Sequence, residues 1–253
     1  MRLDGRVVGG GPAWWAGVTR LDGRVVAIAG AAGGLGPAVA RTLAQEGARL
    51  ALTDIDQARL DEVAGRLGLP SDQVDARVVD LLDEDATRAW AGALTERFGG
   101  VDAVAHLVGG WRGGQPLDQA PLADWAWLHD LLVRTVQHTS RAFAAPLKAS
   151  GRGRFVLVSA AAAQKPTSTN AAYAAGKAAA EAWTLALADE LAGTGATANI
   201  VVVNAILTPQ MRAENPDKEY PTFTSAEDIA EAIAFVFSDA AAKMNGKRLA
   251  LYP

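Results

Sequence analysis

Short apolar runs alternate with amphipathic segments along almost the whole chain, and this alternation constrains the fold more than any other feature. The run at 25–29 is entirely apolar, and the run at 101–108 carries no charge after Asp102. Such runs are typical of strands that are buried on both faces. Strands and helices in alternation predict an α/β fold, a single doubly wound Rossmann domain with a parallel, roughly seven-stranded sheet flanked by helices.

The element boundaries follow from where each pattern starts and stops. The longest helix is expected over about 122–145, and a helix over about 171–191 follows the fifth strand. The predicted strands lie at 25–29, 49–53, 77–80, 101–108, 154–159, 198–206 and 248–252.

A seven-residue repeat marks the N-terminal boundary of the domain. RLDGRVV occurs at 2–8 and again at 20–26, and only the second copy leads into a strand and a glycine loop. One repeat does not make a repeat protein, which needs at least ~3 stacked units. We therefore expect an N-terminal extension over 1–19, either a poorly ordered tail or a segment that packs on a partner. One Rossmann-like domain is expected over 20–253.

The composition excludes several classes of function. Half of the 253 residues are hydrophobic and the net charge is −4, whereas a nucleic-acid surface needs a basic stripe. There is no cysteine, and the three histidines lack paired spacing, so neither thiol catalysis nor a metal site is expected. No apolar run reaches the ~18 residues of a membrane span. We expect a cytoplasmic protein without a membrane or nucleic-acid partner.

The motif GAAGGLG follows the first strand and precedes a helical pattern. Glycines at such a turn let the backbone approach a pyrophosphate, and the N–H groups at the start of the helix attract its negative charge. Gly30, Gly34 and Gly36 follow the spacing Gly-x3-Gly-x-Gly, which differs from G-x-G-x-x-G and is a weak signal alone. Its strand–turn–helix context is what favours dinucleotide binding.

Acidic residues close the second and third predicted strands. Asp54 lies about twenty residues after the loop, where a carboxylate accepts the hydroxyls of an adenosine ribose and repels a 2′-phosphate, favouring NAD over NADP. Arg49 and Arg59 are near enough in sequence to neutralise a phosphate, which leaves NADP possible. Asp80 would either meet adenine or cap the next helix, and helix capping is also the simplest alternative for Asp54.

Tyr173 and Lys177 lie four residues apart in a strongly helical segment, so their side chains share one helix face. An isolated tyrosine has a pKa of ~10 and is a poor acid–base catalyst at neutral pH. A nearby ammonium group stabilises the phenolate and lowers that pKa. Tyr173 could then exchange a proton with a carbonyl oxygen while hydride is transferred to or from carbon. Taken alone, the pair is also compatible with a chance arrangement on a helix.

The glycine loop, Asp54, the segment YAAGK and the polar segment 208–224 together resemble the short-chain dehydrogenase/reductase family over about 21–252. The resemblance implies an NAD(P)-dependent oxidoreductase with Tyr173 as acid/base, and with Lys177 holding the nicotinamide ribose and lowering the tyrosine pKa. The cofactor-binding residues that it implies are Gly30, Gly34, Leu35 and Gly36 at the pyrophosphate, Asp54 at the ribose, Asp80 and Leu81 at the adenine, and Gly109, Ile206, Thr208, Tyr173 and Lys177 towards the nicotinamide.

Two polar residues of the family pattern are missing. The asparagine of the long central helix aligns with Leu132, and the catalytic serine aligns with Ala160. Ser159 is one residue away and is the remaining candidate for the catalytic hydroxyl. Because side chains alternate across a strand, this offset aims Ser159 away from the site unless the strand end is twisted or bulged.

Three functions remain open on these residues. The first is hydride transfer between nicotinamide and a small carbonyl or alcohol substrate, with Ser159 brought into place by a register shift. The second is an enzyme that works without the serine and in this respect resembles the dihydropteridine reductases of the family. The third is a protein that binds the dinucleotide without turnover.

Further residues are candidates for the substrate pocket and for assembly. Trp111 follows the fourth strand, where α/β proteins bind ligands, and Arg112 could neutralise an acidic substrate. His106 is expected to be a core histidine, and the segment 208–224 either covers the substrate as a lid or is a surface loop. The alanine-rich helix bearing Tyr173 suggests close helix packing in a homodimer or homotetramer, although alanine also simply favours helix formation.

Overall fold

The computed structural model describes residues 19–252. The first RLDGRVV copy and all but the last residue of the predicted extension therefore lie outside the described residues. The strands are β1 Val25–Ala29, β2 Arg49–Asp54, β3 Val74–Val78, β4 Ala103–His106, β5 Arg154–Ala160, β6 Thr197–Val203, β7 Ala205–Leu207, β8 Phe223–Ser225 and β9 Arg248–Ala250. The α-helices are α1 Gly36–Gln45, α2 Gln57–Leu67, α3 Glu84–Phe98, α4 Leu122–His129, α5 Thr135–Ser150, α6 Ala171–Leu191, α7 Pro209–Glu214 and α8 Ala226–Phe237.

Seven strands form one parallel sheet in the order β3-β2-β1-β4-β5-β6-β9. The order runs outward in both directions from β1 and β4, so a crevice opens between the carboxyl ends of these two strands. Ligands of doubly wound folds bind at this switch point. The predicted fold class and strand number are confirmed.

Helices cover both faces of the sheet, and strand alternation divides the core between them. On β5, Val156 and Val158 face a core shared with α1, α2 and α8. Phe155 and Leu157 face the opposite core, which α3, α5 and α6 complete. Each face is thus sealed from water, which explains why the strands read as continuous apolar runs.

Local signals set the helix ends near the cleft. The Asp56 side chain accepts a hydrogen bond from the Arg59 N–H and caps α2, which ends at Gly68 in the left-handed conformation. The Asp83 side chain accepts from the Ala86 N–H at the start of α3. Both are ordinary side-chain caps that satisfy free N–H groups of the first turn.

Two predicted elements have different shapes in the structure. The strand expected over 198–206 ends at Val203, and after Asn204 the chain forms β7, which pairs with β8 in a separate two-stranded sheet. The helix expected over 122–145 extends to Ser150, and a π-helical turn at Asp130–Arg134 divides α4 from α5. Sequence periodicity does not register a single added residue in a helical turn, and such π turns often occur at functional sites.

Within residues 19–252, no helix combines the length and the apolar character that crossing a membrane requires.

Candidate active site

A cleft of about 1210 Å³ opens at the switch point of the sheet. Typical small-molecule sites measure ~300–1,000 Å³, so this one is large enough for an extended ligand. We name its two parts after the ligand groups that the family resemblance would place there: the adenosine end (Gly30, Asp54, Ile55 and 78–82) and the substrate end (Trp111, Trp127, Leu131, Ala160, Ala162, Asn170, Tyr173, Val203 and Asn204). Of the residues predicted from the sequence, those that line the cleft are Gly30, Gly34, Leu35, Asp54, Asp80, Leu81, Gly109, Ser159, Tyr173, Lys177, Ile206 and Thr208.

The glycine loop lies between β1 and α1 and leaves the start of that helix open. Gly30 has a φ of +84°, and a Cβ there would lie 2.9 Å from the Val108 nitrogen, so only glycine allows β1 and β4 this close. Leu35, the N-cap of α1, makes no side-chain capping bond. The first N–H groups of α1 thus remain available to an anion, which fits a pyrophosphate.

Gly36 has a packing role that the sequence did not suggest. It does not line the cleft, and a Cβ at this position would lie 2.1 Å from the Ala31 carbonyl oxygen. The residue therefore lets α1 pack closely onto the loop, in the manner of the third glycine of a dinucleotide loop.

Asp54 and Asp80 both bond to backbone N–H groups at the adenosine end. Asp54 accepts from the Ala32 nitrogen at 2.9 Å and from the Ile55 nitrogen at 2.8 Å, which ties the end of β2 to the glycine loop. Asp80 accepts from the Leu82 nitrogen at 2.9 Å. Since a carboxylate oxygen has two lone pairs, Asp54 still has capacity to accept ribose hydroxyls.

Exposed apolar side chains surround these carboxylates. Ile55 is 77% exposed, Val78 45% and Leu82 37%, and all three line the cleft. Solvated leucine, valine and isoleucine in one recess provide the faces against which a flat apolar ring, such as adenine, packs. The basic candidates Arg49 and Arg59 are not among the lining residues.

Tyr173 and Lys177 project from the first turns of α6 into the cleft. The Lys177 ammonium donates to the Val158 carbonyl at 2.9 Å and lies near Gly109, where a Cβ would be 3.7 Å from it. Burial lowers the pKa of Lys177 to about 8, while the Glu181 carboxylate acts to raise it.

The pKa of Tyr173 departs from the expected direction. Burial of the phenol raises its pKa to about 12, whereas the sequence analysis expected Lys177 to lower it. The cause is desolvation, because the buried phenol would have to carry the phenolate charge away from water. Tyr173 is therefore protonated at neutral pH and fit to donate a proton.

Ser159 borders the cleft, but its hydroxyl points into the protein interior and bonds to Glu181 there. It is 1% exposed and donates to Glu181 Oε1 at 2.6 Å. Alternation along β5 puts Ser159 on the same face as Phe155 and Leu157, where α6 packs. Glu181 lies two helical turns, ~12 Å along the axis, from Tyr173. The predicted catalytic use of Ser159 is not supported by this geometry.

Glu181 itself was not singled out in the sequence. It is 2% exposed, and its second carboxylate oxygen accepts from Arg248 Nε of β9 at 2.6 Å. It follows Lys177 by four residues, so a buried carboxylate lies one turn from the lysine. This i,i+4 spacing from a functional lysine is the signal that could have identified it.

The positions aligned with the missing serine and asparagine are apolar and buried. Ala160 is 3% exposed and lines the cleft, while Leu132 is 1% exposed and packs in a small cluster with Tyr173. His106 is fully buried, and burial together with the Lys177 charge lowers its pKa to about 3. His106 is thus a neutral core histidine, whose Nε2 lies 3.2 Å from the Thr135 hydroxyl.

The opposite wall of the cleft comes from β7 and the start of α7. Ile206 and Thr208 line it, and a Cβ on Gly34 would lie 3.1 Å from the Thr208 methyl group. The Thr208 hydroxyl caps α7 by accepting from the Met211 nitrogen at 3.2 Å. The segment 208–224 therefore starts at the cleft and is partly helical, although its residues after Thr208 do not line the cleft.

Two tryptophans form the mouth of the substrate end. Trp111 is 61% exposed and Trp127 is 38% exposed. Arg112, expected as a partner of acidic substrates, does not line the cleft and instead lies over the Trp127 ring and 3.1 Å from Asp124. Trp127 was not predicted to line the cleft, and no local motif in the sequence identifies it there.

Comparisons with known proteins agree with this geometry. A family model described as short chain dehydrogenase matches residues 24–219. D-threitol dehydrogenase of Mycolicibacterium smegmatis is 29% identical, over 92% of this chain and 92% of its own length. The 7alpha-hydroxysteroid dehydrogenase of Escherichia coli is 28% identical, over 91% of this chain and 93% of its own length.

A solved structure, titled a short-chain dehydrogenase/reductase and glucose/ribitol dehydrogenase from Brucella melitensis, superimposes with a TM-score of 0.82. It is 28% identical and covers 92% of this chain and 96% of its own. Fold and cleft are those of a Rossmann-type α/β protein. The chain belongs to the short-chain dehydrogenase/reductase family and is an oxidoreductase with a small-molecule substrate.

Proposed function

We propose that this oxidoreductase transfers hydride between NAD(H) and a carbonyl or secondary alcohol, with Tyr173 as the proton donor and acceptor. The observation that carries the proposal is the meeting of Tyr173 and Lys177 with the glycine loop in one cleft. No hydrogen bond from the Tyr173 hydroxyl is found among residues 19–252, whereas Lys177 is bonded to Val158. The phenol is thus free to bond a substrate oxygen.

The chain's own groups supply the proton chemistry. When bound, the nicotinamide ring supplies or accepts a hydride. Tyr173 gives its proton to the carbonyl oxygen in reduction and takes it back in oxidation. Lys177, protonated below a pKa of about 8, places a positive charge near the phenolate that forms after the proton leaves. That charge would offset part of the cost of forming a phenolate in this buried site, which lowers the barrier.

Three features of the adenosine end support NAD over NADP. The Asp54 carboxylate repels a 2′-phosphate and keeps lone pairs for ribose hydroxyls. Its neighbour Ile55 is apolar, and Lys177 is the only cationic side chain among the described residues that line the cleft. Members of the family use NAD or NADP, and a 2′-phosphate would here lack a cationic partner.

The test is to titrate the protein with NADH by fluorescence and then to follow NADH consumption with a panel of carbonyl compounds. Tyr173→Phe is expected to keep NADH binding and lose ~10²–10⁴ in kcat, since it removes only the proton. Tyr220→Phe is the matched control, because Tyr220 does not line the cleft. Turnover retained in Tyr173→Phe would overturn the assignment, and absence of NADH binding at millimolar concentration would overturn the proposed cofactor site.

A second candidate is a serine-independent reductase of quinonoid pteridines. Ala160 at the serine position and the bonding of Ser159 to Glu181 favour it. A quinonoid substrate is reduced without strong stabilisation of an alkoxide and so needs the serine less. Including quinonoid dihydropterin in the panel distinguishes the two, because the first proposal expects ordinary ketones to give the higher kcat/KM. A dinucleotide-binding protein without turnover would bind NADH and oxidise none of it.

We also infer a homo-oligomer that packs through α6. Most of its exposed positions, apart from Asp189 and Glu190 near its end, carry alanine, a side chain small enough to let two helices approach closely. They are Ala175, Ala178, Ala179, Ala182 and Ala186. Light scattering is expected to give a dimer or tetramer, and Ala182→Arg is expected to lower the mass. A wild-type monomer at micromolar concentration would refute this inference.

A further inference from the structure

The substrate end of the cleft is lined largely by apolar groups. Around Tyr173 these are Trp111, Trp127, Leu131, Ala160, Ala162 and Val203. The two polar side chains that the family pattern would add are absent, because Ala160 and the buried Leu132 occupy their positions. Water in such a recess has few bonding partners, so an apolar ligand displaces it favourably.

Trp111 is held at the mouth of the cleft by glycines. The Gly114 nitrogen donates to the Thr169 carbonyl at 2.8 Å, which attaches the loop to the start of α6. A Cβ on Gly113 would lie 2.7 Å from that carbonyl and 3.2 Å from the Trp111 ring. The loop thus fits only with glycine at this point, and it presents an indole that is 61% exposed. A large aromatic group kept in water by a fixed loop is typical of a ligand contact.

Trp127 adds a second ring to the same mouth. A Cβ on Gly110 would lie 2.7 Å from the Trp127 ring and 2.8 Å from Leu131, so the loop 109–114 packs directly against both side chains. The outer face of Trp127 is covered by the Arg112 guanidinium, whose cation lies 4.0 Å from the ring centroid. Arg112 is held there by Asp124, so its charge is compensated outside the cleft.

The two asparagine amides at the substrate end each use one of their two ends in a hydrogen bond to the protein. Asn170 accepts from the Thr167 nitrogen at 2.8 Å, and Asn204 donates to Thr222 at 3.0 Å. Each amide keeps one free end, whereas the Tyr173 hydroxyl has no hydrogen-bond partner among residues 19–252. A polyhydroxylated chain would lose several hydrogen bonds to water here and regain few, and hydroxyl groups left without partners weaken binding.

We propose that the substrate is an uncharged carbonyl or alcohol carried on an aromatic or alicyclic ring, which packs against Trp111 and Trp127 while its oxygen meets Tyr173. This rests on the proposed function and names the substrate class of that site. In reduction, hydride from NADH forms the new C–H bond, the C=O π bond breaks, and the Tyr173 proton goes to oxygen. The products are NAD⁺ and the secondary alcohol, and Tyr173 recovers its proton from solvent.

The first experiment measures turnover with 1-tetralone as the probe, with dihydroxyacetone as the polar comparison and phenylglyoxylate as the anionic one. The expected kcat/KM for tetralone exceeds both others by at least tenfold. Trp111→Ala is expected to raise the tetralone KM about tenfold with kcat within twofold. Trp125→Ala is the matched control, since Trp125 is 39% exposed and does not line the cleft. A higher kcat/KM for dihydroxyacetone or phenylglyoxylate would overturn the inference.

The second experiment reads binding without turnover. Tetralone binding is measured by calorimetry in the presence of NAD⁺, because NAD⁺ has no hydride to give to a ketone. Tetralone is expected to bind at least tenfold more weakly to Trp111→Ala than to Trp125→Ala. Equal binding in the two variants would overturn the substrate class, whatever the turnover. Weaker binding in Trp111→Ala without any turnover of NADH would instead keep the substrate class and overturn the proposed reaction.

Discussion

The two ends of the cleft differ in how they are built. The adenosine end depends on backbone geometry, with Gly30 at a φ of +84° and Asp54 bonded to two N–H groups. The substrate end depends on side chains, and there Ala160 and Leu132 occupy the positions of two polar groups of the family pattern. The difference indicates that the adenosine end is fixed by the conformation of the main chain. At the substrate end, polar side chains can be replaced by apolar ones without changing the fold.

The largest effect on stability and NADH binding is expected from a substitution that disturbs the main chain at the adenosine end. In Gly36→Ala, the new Cβ would meet the Ala31 carbonyl at 2.1 Å, which forces the loop and α1 apart. We expect a loss of about 1–3 kcal/mol in the free energy of unfolding, together with loss of NADH binding, measured by urea denaturation and fluorescence. Gly92→Ala is the control, because Gly92 is an exposed helical residue with nothing within 4 Å of its Cβ. It is expected to leave NADH binding unchanged and to stabilise the fold slightly.

A smaller loss of NADH affinity is expected from removing the Asp54 side chain, which joins β2 to the glycine loop. Asp54→Ala loses the bonds to Ala32 and Ile55 and the acceptor for ribose hydroxyls. NADH affinity is expected to fall about 10–100-fold, equal to ~1.4–2.7 kcal/mol, while NADPH affinity changes less. Asp56→Ala, two residues away, removes only the α2 cap and should cost stability but not NADH affinity. Equal losses of NADH and NADPH affinity in Asp54→Ala would contradict the NAD assignment.

The substrate end is tested by restoring the missing hydroxyl. Ala160→Ser adds a donor beside the cleft, and kcat for a ketone is expected to rise about tenfold, because such donors stabilise a developing oxyanion. NADH affinity should stay the same. Ala163→Ser, in the turn after β5 and outside the cleft lining, is the control. A lower kcat in Ala160→Ser would show that an apolar residue is required at this position.

The smallest effect is a shift in pH dependence. Lys177 has a pKa of about 8, so its positive charge is present below that pH and lost above it, and kcat for reduction is expected to fall above pH 8. Glu181→Gln removes the carboxylate that favours the charged lysine, so the fall should move to lower pH. Of the other titratable groups there, His106 stays neutral and Tyr173 stays protonated. A pH profile of kcat unchanged in Glu181→Gln would refute this link.

Much of the fold could be predicted because the relevant signals are local. Apolar runs identify strands buried on both faces, and the loop GAAGGLG identifies the turn between β1 and α1. The bend at Asn204 could not be predicted, since it depends on the pairing of β7 with β8, whose residues are far apart in sequence. A continuous apolar pattern contains no information about which strand its last residues join.

The candidate site could be predicted in part for the same reason. Tyr173, Lys177 and Asp54 belong to local motifs, and all three line the cleft. The bond between Ser159 and Glu181 joins a strand to a helix 22 residues later, and the sequence shows only the offset of Ser159. The pKa of Tyr173 was predicted to fall but is raised by burial, and burial is a property of packing rather than of spacing.

The most direct test of the account is the single-turnover rate of hydride transfer from saturating NADH to a ketone, measured in wild type, Ser159→Ala and Tyr173→Phe. The account predicts that Ser159→Ala transfers hydride within about twofold of wild type, since its hydroxyl serves Glu181, and that Tyr173→Phe loses ~10²–10⁴ in rate. The reverse result, with Ser159→Ala strongly impaired and Tyr173→Phe active, would contradict it.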